Sequence, residues 1–344
     1  MRVLVLGGTH FIGPQAVRWL VQSGHEVAVF HRGQTETSLS QVVLHLHGDR
    51  NRLADFSNDF RNFAPEVVLD MLPCTEQEGL TLVGVFKGLA RRVVAISSGD
   101  VYRAYDRFRR ADPGSPDPTP LMEASPLRDR LFPYRDKAHG PDDFLFQYEK
   151  ILMERAVMSE PTLPATVLRL PMVYGQGDYH HRLFEYLKRM DDQRQVILLS
   201  KGVAAWRGMR GYVEDMGKAI ALCVANDRAA GRIYHVADSE NLTEAAWVRR
   251  IAGAAGWHGE VVTLSEERMP QHLKHEHDTA QDWSVDSTRI RTELGYTEPT
   301  APDEAMRRAV AWQRAHPPQD FDRSKFDYAA EDRALAHTAR GNEA

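Results

Sequence analysis

The sequence predicts an α/β fold, in which a doubly wound parallel sheet is followed by a smaller C-terminal α+β lobe. In the first 100 residues, short β-branched runs alternate with amphipathic stretches, which is typical of parallel βαβ units. These runs are almost continuously apolar, as expected of strands covered by helices on both faces. The predicted strands are Val3–Leu6, Glu26–Phe30, Val42–Leu46, Val67–Met71 and Arg92–Ser97.

Helices are predicted between and after these strands. Apolar residues recur at spacings of three and four over Ile12–Ser23 and Glu76–Leu89. Residues 103–140 are rich in proline, aspartate and arginine without a sustained period, which predicts a long surface excursion near the active site. A helix over Phe144–Ser159 and a strand over Ala165–Leu170 are predicted to follow.

The order of these elements suggests three parts. Residues 1–170 and about 210–238 would form the domain that contains the main sheet. Residues 171–209 and about 239–315 would form the smaller lobe. Residues 316–344, which are polar and rich in alanine, are interpreted as a C-terminal tail or peripheral helix.

Composition and charge exclude several classes of protein. The net charge is −5 and the basic residues are scattered, which argues against a nucleic-acid partner. Two cysteines, Cys74 and Cys223, imply no disulfide framework and indicate a reducing compartment. No apolar run approaches the roughly 20 residues of a membrane-spanning helix. The composition therefore predicts a soluble cytoplasmic protein without a membrane partner.

A glycine-rich turn follows the first strand. Its residues are Gly7, Gly8, Thr9, His10, Phe11, Ile12 and Gly13, and a predicted helix comes next. Such a turn brings backbone N–H groups against a pyrophosphate at the positive end of the helix dipole. Its place between strand and helix makes the pattern specific, because a glycine-rich loop elsewhere would carry little information. The turn therefore predicts a Rossmann-type domain in which all seven residues contact a dinucleotide.

This turn resembles the fingerprint of the extended short-chain dehydrogenases/reductases, Thr-Gly-x-x-Gly-Phe-Ile-Gly. Leu6 replaces the threonine and His10 replaces the middle glycine, a variant found in atypical members of that superfamily. Asp49, in Gly48-Asp49, resembles the residue of the family that contacts adenine. Leu72 takes the place of a cofactor-lining residue. The resemblance covers roughly residues 1–315 and is to the NAD-dependent epimerase/dehydratase group.

The end of the second strand bears on which dinucleotide is bound. His31-Arg32-Gly33 provides no carboxylate for the adenosine ribose of NAD. Arg32 is placed to meet a 2′-phosphate, which favours NADP over NAD. A solvated loop arginine is the alternative interpretation, and both dinucleotides stay open.

The resemblance also implies catalytic positions. Ser97-Ser98-Gly99-Asp100-Val101-Tyr102 resembles the family's Ser-Ser-x-x-Val-Tyr, whose second serine, here Ser98, hydrogen-bonds the reacting sugar oxygen. Lys150 aligns with the lysine of the Tyr-x-x-x-Lys motif, which holds the nicotinamide ribose. Phe146 then stands where the motif has its acid/base tyrosine. Tyr148 is not expected to replace it, because residues two apart on a helix point about 200° away from each other.

Three residues are candidates for the missing proton carrier. Asp100 lies where nucleotide-sugar 4,6-dehydratases carry a glutamate base, although Gly99 replaces their acidic aspartate. Tyr134 precedes the helix and could swing inward. Lys150 could itself act if it is desolvated. A site that binds without catalysis is the remaining alternative.

The second half of the chain carries the substrate motifs of the resemblance. Leu168-Arg169-Leu170 through Val173-Tyr174-Gly175 resembles the segment that opens the substrate lobe and includes Tyr174. Arg210 aligns with an arginine that grips a diphosphate, for which its planar fork is suited. His272, His275 and His277 are interpreted as solvated, so no metal is expected.

These resemblances imply an NAD(P)-dependent epimerase or dehydratase that acts on a nucleotide sugar or related polyol by transient hydride transfer. The implied partner besides this small molecule is a second copy of the chain, in a homodimer. Two alternatives stay open, namely an NADPH-dependent reductase and a dinucleotide-binding protein without sugar chemistry, such as the RNA-binding or regulatory relatives. Salt-dependent RNA binding would support the latter, and consumption of NADPH the former.

Overall fold

The main sheet has seven parallel strands in the order β10-β6-β5-β4-β1-β2-β3, in a computed structural model that describes residues 1–35, 39 and 41–341. This confirms the predicted α/β class. Two parallel pairs, β8 with β11 and β7 with β9, lie outside the sheet. The described strands are β1 (Arg2–Leu6), β2 (Glu26–His31), β3 (Leu44–His47), β4 (Val67–Asp70), β5 (Arg92–Ser98), β6 (Ala165–Leu170), β7 (Met172–Tyr174), β8 (Val196–Ser200), β9 (Arg210–Tyr212), β10 (Ile233–His235) and β11 (Glu260–Leu264).

Helices cover both faces of the sheet. The described α-helices are α1 (Ile12–Gln22), α2 (Ser57–Phe63), α3 (Glu76–Phe86), α4 (Arg103–Phe108), α5 (Phe144–Gln147), α6 (Lys150–Val157), α7 (Phe184–Asp191), α8 (Lys201–Ala205), α9 (Val213–Ala225), α10 (Glu244–Ala255), α11 (Thr288–Leu294), α12 (Pro302–Ala315) and α13 (Tyr328–Gly341). No helix in the described ranges combines the length and the apolar character that crossing a membrane requires.

The alternating side chains of the strands explain why the predicted runs are apolar throughout. Val3 and Val5 of β1 belong to the core on one face, together with residues of α1 and α9. Leu4 and Leu6 of the same strand belong to the core on the other face, with residues of α3 and α6. The two faces are therefore buried by different helix pairs, as a doubly wound sheet requires.

The predicted helix Phe144–Ser159 is interrupted, so the prediction of one continuous helix was wrong. α5 ends at Gln147, and Tyr148 and Glu149 adopt extended backbone angles before α6 begins at Lys150. The fully buried Glu149 carboxylate stabilises the break by accepting hydrogen bonds from the N–H groups of Phe132 at 2.5 Å and Ile151 at 2.8 Å. Arg128 completes the arrangement with a buried ion pair to Glu149 at 3.2 Å.

The last predicted segment, a tail or peripheral helix, contains α13. Its buried Glu331 accepts hydrogen bonds from Arg189 of α7, at 2.9 Å from Nη2. Ala334 and Leu335 pack on an apolar cluster formed by Leu198, Leu264 and Met269. This helix is therefore docked on the residues around β8 and β11. The division of the chain into domains stays a prediction.

Candidate active site

The turn between β1 and α1 has the geometry that a bound pyrophosphate needs. Gly7 and Gly8 have φ angles of +86° and +91°, which glycine adopts without strain. A Cβ atom on Gly13 would lie 2.4 Å from the Cα of Gly8, so only glycine fits where the helix meets the strand. Among the described residues no side chain caps the N-terminus of α1, but the N–H of Gly13 donates to the carbonyl of His10 at 3.0 Å and Pro14 has no N–H. The backbone of the glycine turn and the positive end of the helix dipole therefore carry the fit to a dinucleotide phosphate.

The other predicted cofactor residues lie around this turn or at the neighbouring strand ends. Leu72 is 53% exposed although it is a large apolar residue, and it packs over Gly7. His10 is exposed and its ring lies 5.2 Å from that of Tyr179. Thr9 is half-buried, and Phe11 and Ile12 are half-buried against the core. Arg32 and Asp49 are exposed after β2 and β3, and the Asp49 carboxylate accepts from the N–H of Asn51.

Asp100 is the centre of a polar cluster at the carboxyl end of β5. Its side chain is buried, and one oxygen, Oδ2, accepts hydrogen bonds from the hydroxyls of Tyr134 and Tyr148, both at 2.8 Å. The hydroxyl of Tyr105 lies 3.0 Å from that of Tyr134. The other oxygen, Oδ1, is buried without a hydrogen-bond partner among the described residues. A buried acceptor of this kind is costly in a purely structural role.

Ser98 and Lys150 lie beside this cluster. The Ser98 hydroxyl accepts from the backbone N–H of Asp100 at 3.2 Å. The buried Lys150 ammonium donates to the carbonyls of Pro73 at 2.7 Å and Ile96 at 3.0 Å, and it lies 5.7 Å from the Tyr148 ring centroid. The structure thus brings together the four residues predicted for catalysis: Ser98, Asp100, Tyr134 and Lys150.

Burial sets the protonation of the cluster. Burial raises the pKa of the Asp100 carboxyl, against the lowering effect of the Arg128 charge and of the two tyrosine hydrogen bonds. Burial and the neighbouring Asp100 charge also raise the pKa values of Tyr134 and Tyr148 above their ordinary value. The two phenols therefore keep their protons at neutral pH, and Asp100 is the group in the cluster that can exchange one.

A buried network of hydrogen bonds and an ion pair stabilises the end of β5. Glu154 of α6 accepts from Ser97 at 2.5 Å and forms a bidentate ion pair with Arg169, 2.7 Å at its shorter contact. Arg169 also donates to the hydroxyl of Tyr102, which hydrogen-bonds His235. The strand end that presents Ser98 and Asp100 is therefore held rigidly, which favours a defined catalytic geometry.

A cavity of about 370 Å³ is lined by Phe108 and by side chains between residues 172 and 279, and the residues of the Asp100 cluster are not part of its lining. α4 connects the two, because Tyr105 contacts Tyr134 while Phe108 lines the cavity. Phe108 stacks on Trp206 and on His277, with ring centroids 4.9 Å and 4.5 Å apart. Flat aromatic walls of this kind suit a sugar or a base ring.

The predicted substrate residues Tyr174 and Arg210 both line this cavity. Arg210 forms an ion pair with Glu244, and its guanidinium lies 4.5 Å from the Trp247 ring centroid. A diphosphate would therefore have to compete with Glu244 for Arg210. Tyr174 is buried and hydrogen-bonds the Asp238 carboxylate. Four histidines, His180, His181, His275 and His277, supply further polar groups.

Tyr148 and Tyr105 are the cluster members that the sequence did not predict. Tyr148 was set aside because a continuous helix would turn it away, and the break at Tyr148–Glu149 removes that reason. The aromatic ring of Phe146, which aligns with the family's tyrosine, packs on Arg135 at 4.6 Å instead. The only signal available in the sequence was Glu149, an acidic residue that can cap the helix starting at Lys150.

Comparison with protein families and curated proteins gives one family model and curated relatives of different kinds. Residues 135–237 match the model of the NAD dependent epimerase/dehydratase family. The chain is 26% identical over 281 residues to 2′-dehydrokanamycin reductase of Streptomyces kanamyceticus, covering 80% of this chain and 72% of that protein. It is 22% identical to the chloroplast stem-loop binding protein of 41 kDa b of Arabidopsis thaliana, covering 74% of this chain and 64% of that protein.

Solved structures share the fold over nearly the whole chain. The UDP-glucose 4-epimerase of Thermotoga maritima, solved with UDP-glucose, superposes with a TM-score of 0.66 at 18% identity and covers 92% of this chain and 99% of its own. The dTDP-glucose 4,6-dehydratase DesIV of Streptomyces venezuelae, solved with NAD, gives 0.65 at 22% identity and covers 92% and 98%. These likenesses establish the architecture.

Proposed function

We propose that this chain has an NAD(P)-dependent activity on a nucleotide sugar or related polyol. It has the fold of the extended short-chain dehydrogenases/reductases, and a segment of it matches the NAD dependent epimerase/dehydratase family. A hydroxyl of the sugar would be oxidised to a ketone, and the ketone would then be epimerised, dehydrated or reduced again. The observation that carries this proposal is the Asp100 cluster: the Tyr148 hydroxyl donates to Asp100, whereas the Phe146 ring packs on Arg135.

The proton would move through the cluster. Ser98 would hydrogen-bond the reacting sugar oxygen, and Tyr148 would exchange a proton with the same oxygen. As Tyr148 accepts the substrate's proton, its own would pass to Asp100, 2.8 Å away. Asp100 suits this role because burial raises its pKa, which makes the carboxylate a stronger base than an exposed aspartate. Tyr134 would hold Asp100 in place from the other side.

Lys150 would position the site. Its ammonium ties the carbonyl of Pro73, after β4, to that of Ile96, near the end of β5, at the edge where the turn Gly7–Gly13 also lies. The dinucleotide, when bound, supplies the hydride acceptor and donor. Arg32, exposed after β2, favours NADP because its fork matches a 2′-phosphate.

The cavity supports a nucleotide-linked substrate. Its aromatic walls, Phe108, Trp206 and Trp247, suit ring stacking, and Arg182, Arg210 and the four histidines can donate hydrogen bonds to phosphate oxygens.

Gly99 bears on the reaction type. A Cβ atom there would lie 1.8 Å from Cε of Met209, so the acid residue of a 4,6-dehydratase has no room unless Met209 moves.

A reductase is the second candidate. The match to 2′-dehydrokanamycin reductase extends over 80% of this chain, and a phenol that keeps its proton is suited to protonate an oxygen that receives a hydride. Tyr148 would then act as an acid in the direction of alcohol formation.

The test incubates the full chain with NAD⁺ or NADP⁺ and a panel of UDP- and dTDP-linked sugars in D₂O. Products are separated by chromatography and weighed by mass spectrometry, and reduced dinucleotide is followed by absorbance. We expect deuterium incorporation, loss of water or a new epimer, abolished in Asp100→Asn and retained in Tyr328→Phe, a change far from the cluster. Dinucleotide binding without any product from any sugar would contradict the proposal, and NADPH consumption with keto sugars alone would select the reductase.

A further inference from the structure

Three histidines meet on one face of the sheet edge. His31 ends β2 and is the register partner of His47 on the edge strand β3. His45 lies two residues before His47 and therefore points to the same side of the strand. One ring nitrogen from each of the three lies within 4.8 Å of the other two, and Nε2 of His31 is 2.8 Å from Nδ1 of His45. Within the described ranges no other group of three histidine, cysteine or acidic residues approaches this closely.

The chemistry of this triad is that of a metal site. Imidazole nitrogens are the preferred ligands of Zn²⁺ and its neighbours Cu²⁺ and Ni²⁺, and the rings must be neutral to bind. Partial burial and the proximity of His45 and His47 lower the pKa of His31, so that ring is neutral at neutral pH. By contrast, the histidines near residue 275 are dispersed, because His277 stacks on Phe108 and His272 contacts Glu331.

We propose that His31, His45 and His47 bind one divalent transition-metal ion of the Zn²⁺ type. Three imidazole ligands leave a coordination position open, and solvent reaches it because His45 and His47 are exposed. The ion replaces the hydrogen bond between His31 and His45. The ring proton of His31 moves to Nδ1, and the N–H of Gly33, which now donates to that atom at 3.2 Å, turns away in an exposed turn.

This site is separate from the Asp100 cluster, although His31 directly precedes Arg32, which the proposed function assigns to the dinucleotide. Its ligands come from β2 and β3 at the edge of the sheet, whereas the cluster follows β5, three strands away in the order β5-β4-β1-β2-β3. Residues 31, 45 and 47 are too far apart in sequence to form a local motif, which explains why the sequence predicted no metal. The strand register creates the site.

The test uses the full chain without a histidine tag, stripped with a chelator and titrated with Co²⁺. We expect the intense visible absorption of tetrahedral Co²⁺, saturating at one ion per chain and displaced by Zn²⁺. His45→Gln and His47→Gln should each weaken Zn²⁺ binding at least about tenfold in calorimetry, since each removes one of three ligands. Without metal, these variants should have the same melting temperature as the parent, because the two side chains are exposed.

Matched controls separate this site from other histidines. His258→Gln changes an exposed histidine outside the triad, and His275→Gln changes one in the substrate cavity, so both should keep full affinity. Absence of the Co²⁺ absorption would overturn the proposal. Equal weakening in the triad variants and in the controls would do so as well, because it would indicate scattered surface binding.

Discussion

At the scale of single residues, the site depends on which tyrosine replaces the missing one. The Phe146 ring lies on the Arg135 guanidinium, and the backbone carbonyl of Phe146 accepts from Arg135 at 3.0 Å. The hydroxyl of Tyr148 donates to the Asp100 carboxylate at 2.8 Å. The alignment therefore places the family's tyrosine at position 146, whereas the hydroxyl that meets Asp100 in space belongs to residue 148. The proposed function assigns the acid/base role to the tyrosine that meets Asp100.

Removing one hydroxyl tests this assignment. Tyr148→Phe should lower kcat by about 10²- to 10³-fold, the usual contribution of a positioned acid/base group, with little change in KM. Phe146→Tyr restores the family's tyrosine in the alignment, yet it should leave kcat unchanged, because that ring faces Arg135. Steady-state kinetics of the reaction found in the D₂O test described above measure both variants. A gain of activity in Phe146→Tyr would show that position 146 reaches the substrate after all.

Arg32 determines the choice of dinucleotide in the proposed function. Arg32→Ala should weaken NADP binding about tenfold, the effect of losing roughly 1.4 kcal/mol of charge-assisted hydrogen bonding, and leave NAD binding unchanged. Fluorescence titration with both dinucleotides measures the ratio. Arg52→Ala is the matched control, since Arg52 is exposed and pairs with Asp55. If NADP and NAD weaken equally, Arg32 does not recognise the 2′-phosphate.

At the scale of elements, the break between α5 and α6 is what moves Tyr148 into the site. Glu149 caps α6 through the N–H of Ile151, and its own N–H donates to the carbonyl of Cys74 at 2.8 Å. The same carboxylate holds Phe132 and Arg128 of the segment that carries Tyr134. The buried Glu149 carboxylate thus links the segments that carry Tyr134 and Tyr148.

Glu149 therefore has a large predicted effect on stability. Glu149→Ala should cost about 3–5 kcal/mol of unfolding free energy, because it removes the ion-pair partner of the buried Arg128 charge and leaves it only its hydrogen bonds to backbone carbonyls and the neighbouring Asp100 charge. Glu149→Gln, which retains an acceptor oxygen, should cost less. Urea unfolding measures both, and Glu160→Gln is the control, since Glu160 pairs with an exposed Lys87 on the surface. A cost for Glu149→Ala below 1 kcal/mol would mean that the break has another cause.

The elements show how far sequence reasoning reaches. The five N-terminal strands and the helices over Ile12–Ser23 and Glu76–Leu89, observed as Ile12–Gln22 and Glu76–Phe86, were predicted because periodicity and glycine position are local signals. The interruption at Tyr148 was not, because the residues that stabilise it, Arg128 and Phe132, are distant in sequence. Asp100 could be named from a motif and Tyr134 from its place before the helix, whereas Tyr148 could not be named because its hydrogen bond to Asp100 depends on that interruption.

At the scale of the whole molecule, two acidic residues lie where β9, β10 and α9 meet. The half-buried Asp238 follows β10 and accepts from the N–H of Tyr212 at 3.1 Å, and the buried Asp215 of α9 has an oxygen without a partner among the described residues. Burial raises the pKa of Asp238 to about 7 and that of Asp215 to about 6, and the charges of Asp215 and Glu298 raise that of Asp238 further. Each therefore keeps its proton to a higher pH in the folded state than in the unfolded state.

The sign of the resulting pH dependence follows from these pKa values. An unfolded aspartate ionises at about 3.9, so between that pH and about 7 the folded chain holds a proton on Asp238 that the unfolded chain lacks. The extra proton stabilises the fold, and this contribution is lost as the pH rises through about 7. Asp238→Asn cannot titrate and keeps an acceptor for the N–H of Tyr212.

The free energy of unfolding of Asp238→Asn minus that of the parent should therefore increase by on the order of 1 kcal/mol when the buffer is changed from slightly acidic to slightly alkaline. This figure allows for the partial solvent exposure of the side chain. Urea unfolding at both ends of that range measures the difference. Asp227→Asn removes a carboxylate that is 67% exposed and pairs with Arg91, so its effect should be the same at both pH values. A gap between Asp238→Asn and the parent that stays constant with pH would mean that Asp238 is ionised in the folded protein throughout, and that the junction tolerates a buried charge.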